Sequence, residues 1–207
     1  MFKMAGSNEN QPRQTPEPVW GLVLSGGRSR RMGRDKALLE QDGLTALDRA
    51  VELLARRVER VLVSVRPDQT TDSVRARFDQ IVDRYDGIGP AAGILSALEA
   101  YPDVAWLVMA CDLPNVDDAT IASLLSSRSQ QPFTAFRSSH DGLPEPLCAI
   151  YRPAARPLVA DFVREGVICP RKMLIRSDTE LLELPFPDSL ENLNTPEDFE
   201  RLRSSGP

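Results

Sequence analysis

The chain has 207 residues, with 25 lysines and arginines against 30 aspartates and glutamates, a formal net charge of -5 and a sequence pI near 5.1. At 42% hydrophobic residues this is an ordinary globular composition with enough apolar material for one substantial core, and its acidic balance argues against the broad basic face of a nucleic-acid binder. No apolar stretch approaches the roughly 20 residues of a membrane helix, and the N-terminus lacks the apolar centre of a signal peptide, so the expected setting is the cytoplasm with no membrane partner.

Residues 1–17 are rich in Asn, Gln, Pro and Glu and read as a flexible tail ahead of a single domain over 18–207. Val19–Leu24 is the first strand candidate. Thr45 and Asp48 then form a capping-box pattern, and Leu47, Ala50, Val51, Leu54 and Val58 share one face of the helix it opens. Val61–Val65, 80–83 and 104–110 read as further strands, separated by a helix over 91–100. Asp117 is placed to cap a helix over Asp118–Ser126. Strands at 134–136, 146–151 and 180–184 follow, and Thr195, Pro196, Glu197 and Asp198 predict a last helix over about 196–203. Short β-branched runs alternating with amphipathic segments predict an α/β fold, an open and mostly parallel sheet covered by helices.

Cys111, Cys148 and Cys169 are odd in number and far apart, which excludes a C-x-x-C zinc site and a disulfide framework. His140 is the single histidine and sits in a polar HDG loop, so neither a histidine-cluster metal site nor a hydrolase built on a Ser-His or Cys-His pair is expected. Trp20, Trp106 and Met109 lie on strands and read as core.

The densest chemistry follows the first strand. Leu24 to Leu38 reads LSGGRSRRMGRDKAL, and positions 28–36 hold Arg28, Arg30, Arg31, Arg34 and Lys36 against Asp35 alone. A positive island on an acidic protein suits a small polyanion. Glycine lets backbone N–H groups approach an anion without a Cβ in the way, and successive N–H groups in a turn form an anion-binding concavity. The loop matches neither G-x-x-x-x-G-K-[ST] nor G-x-G-x-x-G. Ser25, Gly26 and Gly27 are expected to hold phosphates through backbone N–H groups, with Arg31 and Lys36 meeting the charge that develops in phosphoryl transfer. Only three lysines occur, Lys3, Lys36 and Lys172, so Lys36 supplies a rare compact ammonium among arginine forks.

Two carboxylates join this loop by position. Asp112, in CDLP, sits just after strand 104–110 and is a magnesium-ligand candidate, because magnesium takes one or two carboxylates beside waters and substrate phosphates. A turn-forming aspartate before Pro114 is the alternative. Asp83 ends another strand, where its carboxylate can accept hydrogen bonds from a base or ribose or simply be solvated; Asp86 competes for the same role. Gly89, Ala91, Ala92 and Gly93 suit a helix start pressed against a ligand or the sheet. Asn192 and Asn194 alternate on an extended segment and offer amides to a ligand. In open α/β sheets such groups collect beyond the carboxyl ends of the strands.

Taken in order, LSGGRSRRMGRDK, GPAAGILSAL, CDLP, EPLCAIY and NLNTPEDF resemble the molybdenum cofactor guanylyltransferase family, often called MobA, over about residues 18–204. That resemblance implies a Rossmann-like three-layer α/β/α sandwich and transfer of GMP from Mg-GTP to the phosphate of molybdopterin or Mo-molybdopterin, with release of pyrophosphate. It further implies that Leu24, Ser25 and Gly26 contact the nucleotide, Lys36 binds phosphate, Asp112 holds Mg2+ and Asp83 contacts the nucleotide. Ser64 stands where relatives can carry an asparagine and reaches less far. Asn192 and Asn194 are expected to help seat the pterin, and cofactor insertion proteins or receiving apoenzymes are the implied partners. CTP-dependent transfer to the same cofactor, a sugar-phosphate nucleotidyltransferase and a GTP-binding carrier remain open alternatives.

Overall fold

In the computed structural model, which describes residues 17–26, 35–41, 43–127 and 129–191, the run Val19–Leu24 becomes β1 at the heart of a seven-stranded sheet. A small hairpin of β2 (Glu40–Gln41) and β3 (Leu44–Thr45) leads into α1 (Ala46–Ala55). The expected capping box is present: Thr45 Oγ1 accepts from the Asp48 N–H at 3.0 Å, and the Asp48 carboxylate accepts from the Thr45 N–H at 3.0 Å. Such a box satisfies two helix-end donors locally, which is why the start of α1 is legible in the sequence. Then come β4 (Val61–Val65), β5 (Gln80–Val82), α2 (Pro90–Ala100), β6 (Ala105–Ala110) and α3 (Asp118–Ser126), the last capped by the Asp117 carboxylate accepting from the Thr120 N–H at 2.8 Å. The chain finishes its described course with β7 (Phe133–Arg137), β8 (Pro144–Tyr151), α4 (Ala155–Arg164), α5 (Pro170–Ile175) and β9 (Thr179–Leu182).

The strand order is β5-β4-β1-β6-β8-β7-β9. β1 pairs in parallel with both β4 and β6, β4 with β5, and β7 with β9, whereas β8 runs antiparallel between β6 and β7. Side chains of successive strand residues point to opposite faces, and the two faces carry separate cores. Leu22, Leu62, Trp106, Val108 and Tyr151 pack with α2, α4 and α5 on one side; Val23, Val63, Leu107, Met109 and Ile150 pack with α1 and α3 on the other. The expected α/β/α sandwich is therefore present. Every residue of β6 is buried, as a strand covered on both faces requires. Each fully buried leucine, such as Leu47 and Leu54 of α1 or Leu22 of β1, stabilises the fold by about 1.5–3 kcal/mol.

The short strands β2 and β3 were not foreseen. β8 was expected but not its antiparallel sense, and α4 and α5 were not expected at all. Residue 17, assigned above to the tail, belongs with the fold: the Glu17 carboxylate accepts from the Arg152 guanidinium, with Nη2 to Oε2 at 3.1 Å. The expected helix at 196–203 lies outside the described residues. All three cysteines are free, with Cys148 buried, and none of the helices among the described residues is long and apolar enough to cross a membrane.

Candidate active site

From β1 the chain passes through α1 to β4 and β5 on one side, then crosses back through α2 to β6 on the other, so strand order reverses at β1. Loops leaving the carboxyl ends of β1, β4, β5 and β6 diverge there, and the gap between them is where open α/β sheets bind ligands. A cavity of about 830 Å³ occupies that position. Leu24, Ser25, Gly26, Lys36, Ser64, Asp83 and Asp112 all line it, so seven positions scattered over the sequence converge as expected. Gly27, Arg31, Asn192 and Asn194 lie outside the described residues.

Lys36 opens a 3-10 turn, Lys36–Leu38, that Asp35 caps by accepting from the Ala37 N–H at 3.1 Å. The turn points the Lys36 ammonium at Asp112, just beyond β6, with Nζ 3.1 Å from Oδ2. Their side chains are 19% and 26% exposed, which decides the character of the pair. A partly solvated ion pair is worth about 0–1 kcal/mol, so either partner can exchange the other for a phosphate oxygen or a metal ion at little cost.

Ser25 is tied to β4. Its N–H donates to the Ser64 carbonyl at 3.3 Å and its hydroxyl to the same oxygen at 2.9 Å, so the β1–β4 connection consumes both donors. Ser25 lines the cavity with its N–H and hydroxyl both directed at β4. Gly26 sits against the Asp83 carboxylate: a Cβ there would lie 3.3 Å from Oδ2, a tight contact that glycine avoids. The Gly26 carbonyl accepts from Arg66 Nη1, and Arg66 Nε also pairs with Asp68 at 2.9 Å.

Asp83 lies one residue past β5, its N–H still donating to the Val65 carbonyl at 2.8 Å. Its Oδ1 accepts from the Ser64 hydroxyl at 2.8 Å. Burial pushes its carboxyl up to about 6, against the lowering effects of the Ser64 hydrogen bond and the Arg66 charge. Asp86, the competing candidate, also lines the cavity but is exposed and accepts from the Gly87 N–H at 2.8 Å. Ser64 and Asp83 are thus one unit, roofed by Gly93 of α2. A Cβ at Gly93 would fall 2.1 Å from Ser64 Oγ and 2.8 Å from Ser64 Cβ, closer than real atoms approach. Burial, helped by the Asp112 and Asp35 charges, pushes the thiol of Cys111 up to about 12, away from the thiolate form.

Sequence reasoning missed Arg66 and Arg75. Arg66 directly follows β4, so the rule that ligands gather at strand ends marks it. Arg75 has no local signal. A second cavity of about 530 Å³ adjoins the first across Gly87, Gly89, Pro90 and Leu147, with Glu145 and Arg171 on its wall, paired at 2.8 Å.

The cation and acid that meet where strand order reverses, on a cavity sharing Gly87, Gly89, Pro90 and Leu147 with a second, belong to an α/β enzyme of the nucleotidyltransferase class. More narrowly, the chain belongs to the MobA-like NTP transferase domain family, whose model matches residues 21–180. It is similar to the "Molybdenum cofactor biosynthesis bifunctional protein" of Synechocystis sp., with 38% identity over 189 residues that cover 89% of this chain and 54% of that protein. The chain thus spans about half the length of that relative. It is also similar to the "Molybdenum cofactor guanylyltransferase" of Pseudomonas paraeruginosa, 33% identical over 190 residues, which cover 90% of this chain and 95% of that one. Among solved structures, "Molybdopterin-guanine dinucleotide biosynthesis protein A" from Archaeoglobus fulgidus superposes with a TM-score of 0.75 at 22% identity, covering 89% and 97% of the two chains, a likeness of fold.

Proposed function

We propose that the chain transfers GMP from Mg-GTP to the phosphate of molybdopterin, releasing pyrophosphate. The observation that carries this reading is the Lys36–Asp112 pair at 3.1 Å on the wall of the larger cavity; the guanylyltransferase relative that the chain covers almost end to end supports the choice of base and acceptor.

An oxygen of the acceptor phosphate attacks the α-phosphorus in line, the bond from that phosphorus to the bridging oxygen of the β-phosphate breaks, and pyrophosphate leaves with the electron pair. The acceptor is already anionic, so no protein base or nucleophile is needed, and the protein's task is orientation and charge neutralisation. In this reading Lys36 swings from Asp112 to the triphosphate, Gly26 lets the nucleotide approach the backbone, and Asp83 with Ser64 holds base or ribose. Among the described residues no group of three or more His, Cys, Asp or Glu side chains could hold a metal. One carboxylate, Asp112, nevertheless fits magnesium, which takes its remaining ligands from water and substrate phosphates. When bound, magnesium neutralises charge on the phosphates and fixes their geometry. The second cavity adjoins the first across Gly89 and Leu147 and suits the acceptor, which must lie within bonding reach of the α-phosphorus.

Pyrophosphate release measured with each of the four NTPs, with and without molybdopterin, tests the reading. GTP with molybdopterin is expected to give turnover and the other NTPs at least about tenfold less. Preference for CTP, turnover only with a sugar phosphate, or GTP binding without turnover would each replace it with one of the alternatives above.

Asp83 supplies a pH prediction. Its acidity is weakened in the fold, so at pH 7 the carboxylate is ionised and accepts hydrogen bonds, while below about 6 it takes up a proton. Affinity for GTP should therefore weaken by up to about tenfold per pH unit as pH falls below 6. Asp83→Asn should bind more weakly at pH 7.5 and follow a flatter profile between pH 5 and 7, because any residual slope comes from the nucleotide itself. Titration calorimetry on the two proteins checks this; parallel profiles would remove Asp83 from the nucleotide contacts.

A further inference from the structure

Arg75 is the only buried cation among the described residues, 1% exposed. It sits in a short turn, Arg75–Arg77, between β4 and β5, and its guanidinium reaches across to the ends of the glycine loop. Nε donates to Ser25 Oγ at 3.2 Å and Nη2 to the Ser25 carbonyl at 2.8 Å, while Nη2 also donates to Asp35 Oδ2 at 2.7 Å. Nη1 lies 3.3 Å from Asp72 Oδ1, which holds the arginine's own turn.

Ser25 is where the chain leaves β1 and Asp35 is the residue before Lys36. One guanidinium thus ties the two ends of the segment between them, and Asp35 in turn caps the turn that aims Lys36 at Asp112. Taking a guanidinium out of water is costly unless its donors are matched by carboxylates and carbonyls; here two carboxylates, a carbonyl and a hydroxyl match it. Nη2 alone bridges the two ends, and the rest of the fork holds that nitrogen in place, Nε on Ser25 Oγ and Nη1 beside Asp72; a lysine has no such second and third nitrogen to fix its ammonium there.

We propose that Arg75 is a positioning residue for nucleotidyl transfer: by clamping Ser25 and Asp35 together it fixes the loop's exit and sets the Lys36 ammonium where the triphosphate must lie. This rests on the nucleotide-site reading of the larger cavity. Arg75 touches no substrate and acts through Asp35 and Lys36.

Binding of Mg-GTP to the full chain, measured by calorimetry on Arg75→Lys, Lys36→Ala and the double variant, tests it. Arg75→Lys keeps the charge and loses the fork, and is expected to weaken binding about tenfold; the double variant should bind no more weakly than Lys36→Ala alone, because the arginine acts through the lysine. Asp35→Asn keeps an oxygen for the Ala37 N–H while breaking the charged contact, and should reproduce the Arg75→Lys loss, which serves if Arg75→Lys does not fold. A purely architectural arginine would lower the melting temperature and leave Mg-GTP affinity unchanged, and that result, or a double variant that binds more weakly than Lys36→Ala by the full Arg75→Lys loss, overturns the proposal. Wild-type binding by Lys36→Ala would instead remove the nucleotide-site reading, and the role of Arg75 with it.

Discussion

Lys36→Ala and Asp112→Ala are each expected to slow nucleotidyl transfer by about 10²–10³-fold, the usual cost of removing one preorganised group aimed at charge that develops in the transition state. Their effects should divide. Loss of the ammonium should weaken triphosphate binding as well as turnover, whereas loss of the carboxylate should raise the magnesium concentration needed for half-maximal rate. Neither change should unfold the protein, because the partly exposed pair contributes about 0–1 kcal/mol. Pyrophosphate-release kinetics across a magnesium series, beside thermal unfolding of the same samples, measure both. Normal turnover in either variant contradicts its role; a collapsed melting temperature would mean the pair is architectural.

Gly93→Ala is expected to combine a stability loss with weaker nucleotide binding. The added methyl would overlap Ser64 Cβ, at 2.8 Å, and not only its mobile hydroxyl, so α2 must lift from β4 or β4 must yield. Overpacking of this kind costs about 1–3 kcal/mol, and the better helix propensity of alanine returns less than about 1. Because Ser64 donates to Asp83 at 2.8 Å, the disturbance passes directly to the carboxylate on the cavity wall. Chemical denaturation and GTP titration of the variant check the two effects. Ser64→Gly placed beside Gly93→Ala should recover part of the loss by vacating the space; an unchanged Gly93→Ala protein would contradict the packing described here.

What could be seen in the sequence was local or positional. Thr45 and Asp48 satisfy each other within one turn, and Asp117 caps its own helix, so α1 and α3 were placed from chemistry a few residues wide. Lys36, Asp83 and Asp112 were legible because each stands just beyond a strand or in a glycine-rich loop, and the topology of parallel sheets sends all such positions to one edge. Contacts set by tertiary packing were not legible. Arg75 lies in RARFD, which reads as a solvated charged turn until the fold carries it to Ser25 and Asp35. Ser64 and Asp83 were each noticed, but their hydrogen bond depends on β4 and β5 pairing in the observed register, with Ser64 opposite Ile81. The antiparallel sense of β8 follows from the turn after Arg137, not from its own apolar pattern. α4 begins at Ala155 without a side-chain cap, so no local start signal marks it, although its apolar side chains, with Ala155 and Val159 buried, gather on one face. The contacts of the Ser25 N–H and hydroxyl with the Ser64 carbonyl likewise depend on the pairing of β1 with β4 and have no signal in the motif itself.

The central claim is that the cleft at the strand-order reversal seats a magnesium-bound nucleoside triphosphate between Lys36 and Asp112. A crystal structure of the chain with GTP and magnesium tests this most directly. An Asp112 oxygen about 2.0–2.1 Å from the metal, with Lys36 Nζ about 2.7–3.2 Å from a phosphate oxygen, is the expected result. A nucleotide seated elsewhere, or an Asp112 carboxylate more than about 6 Å from any metal or phosphate oxygen and so beyond water-bridged reach, would contradict it.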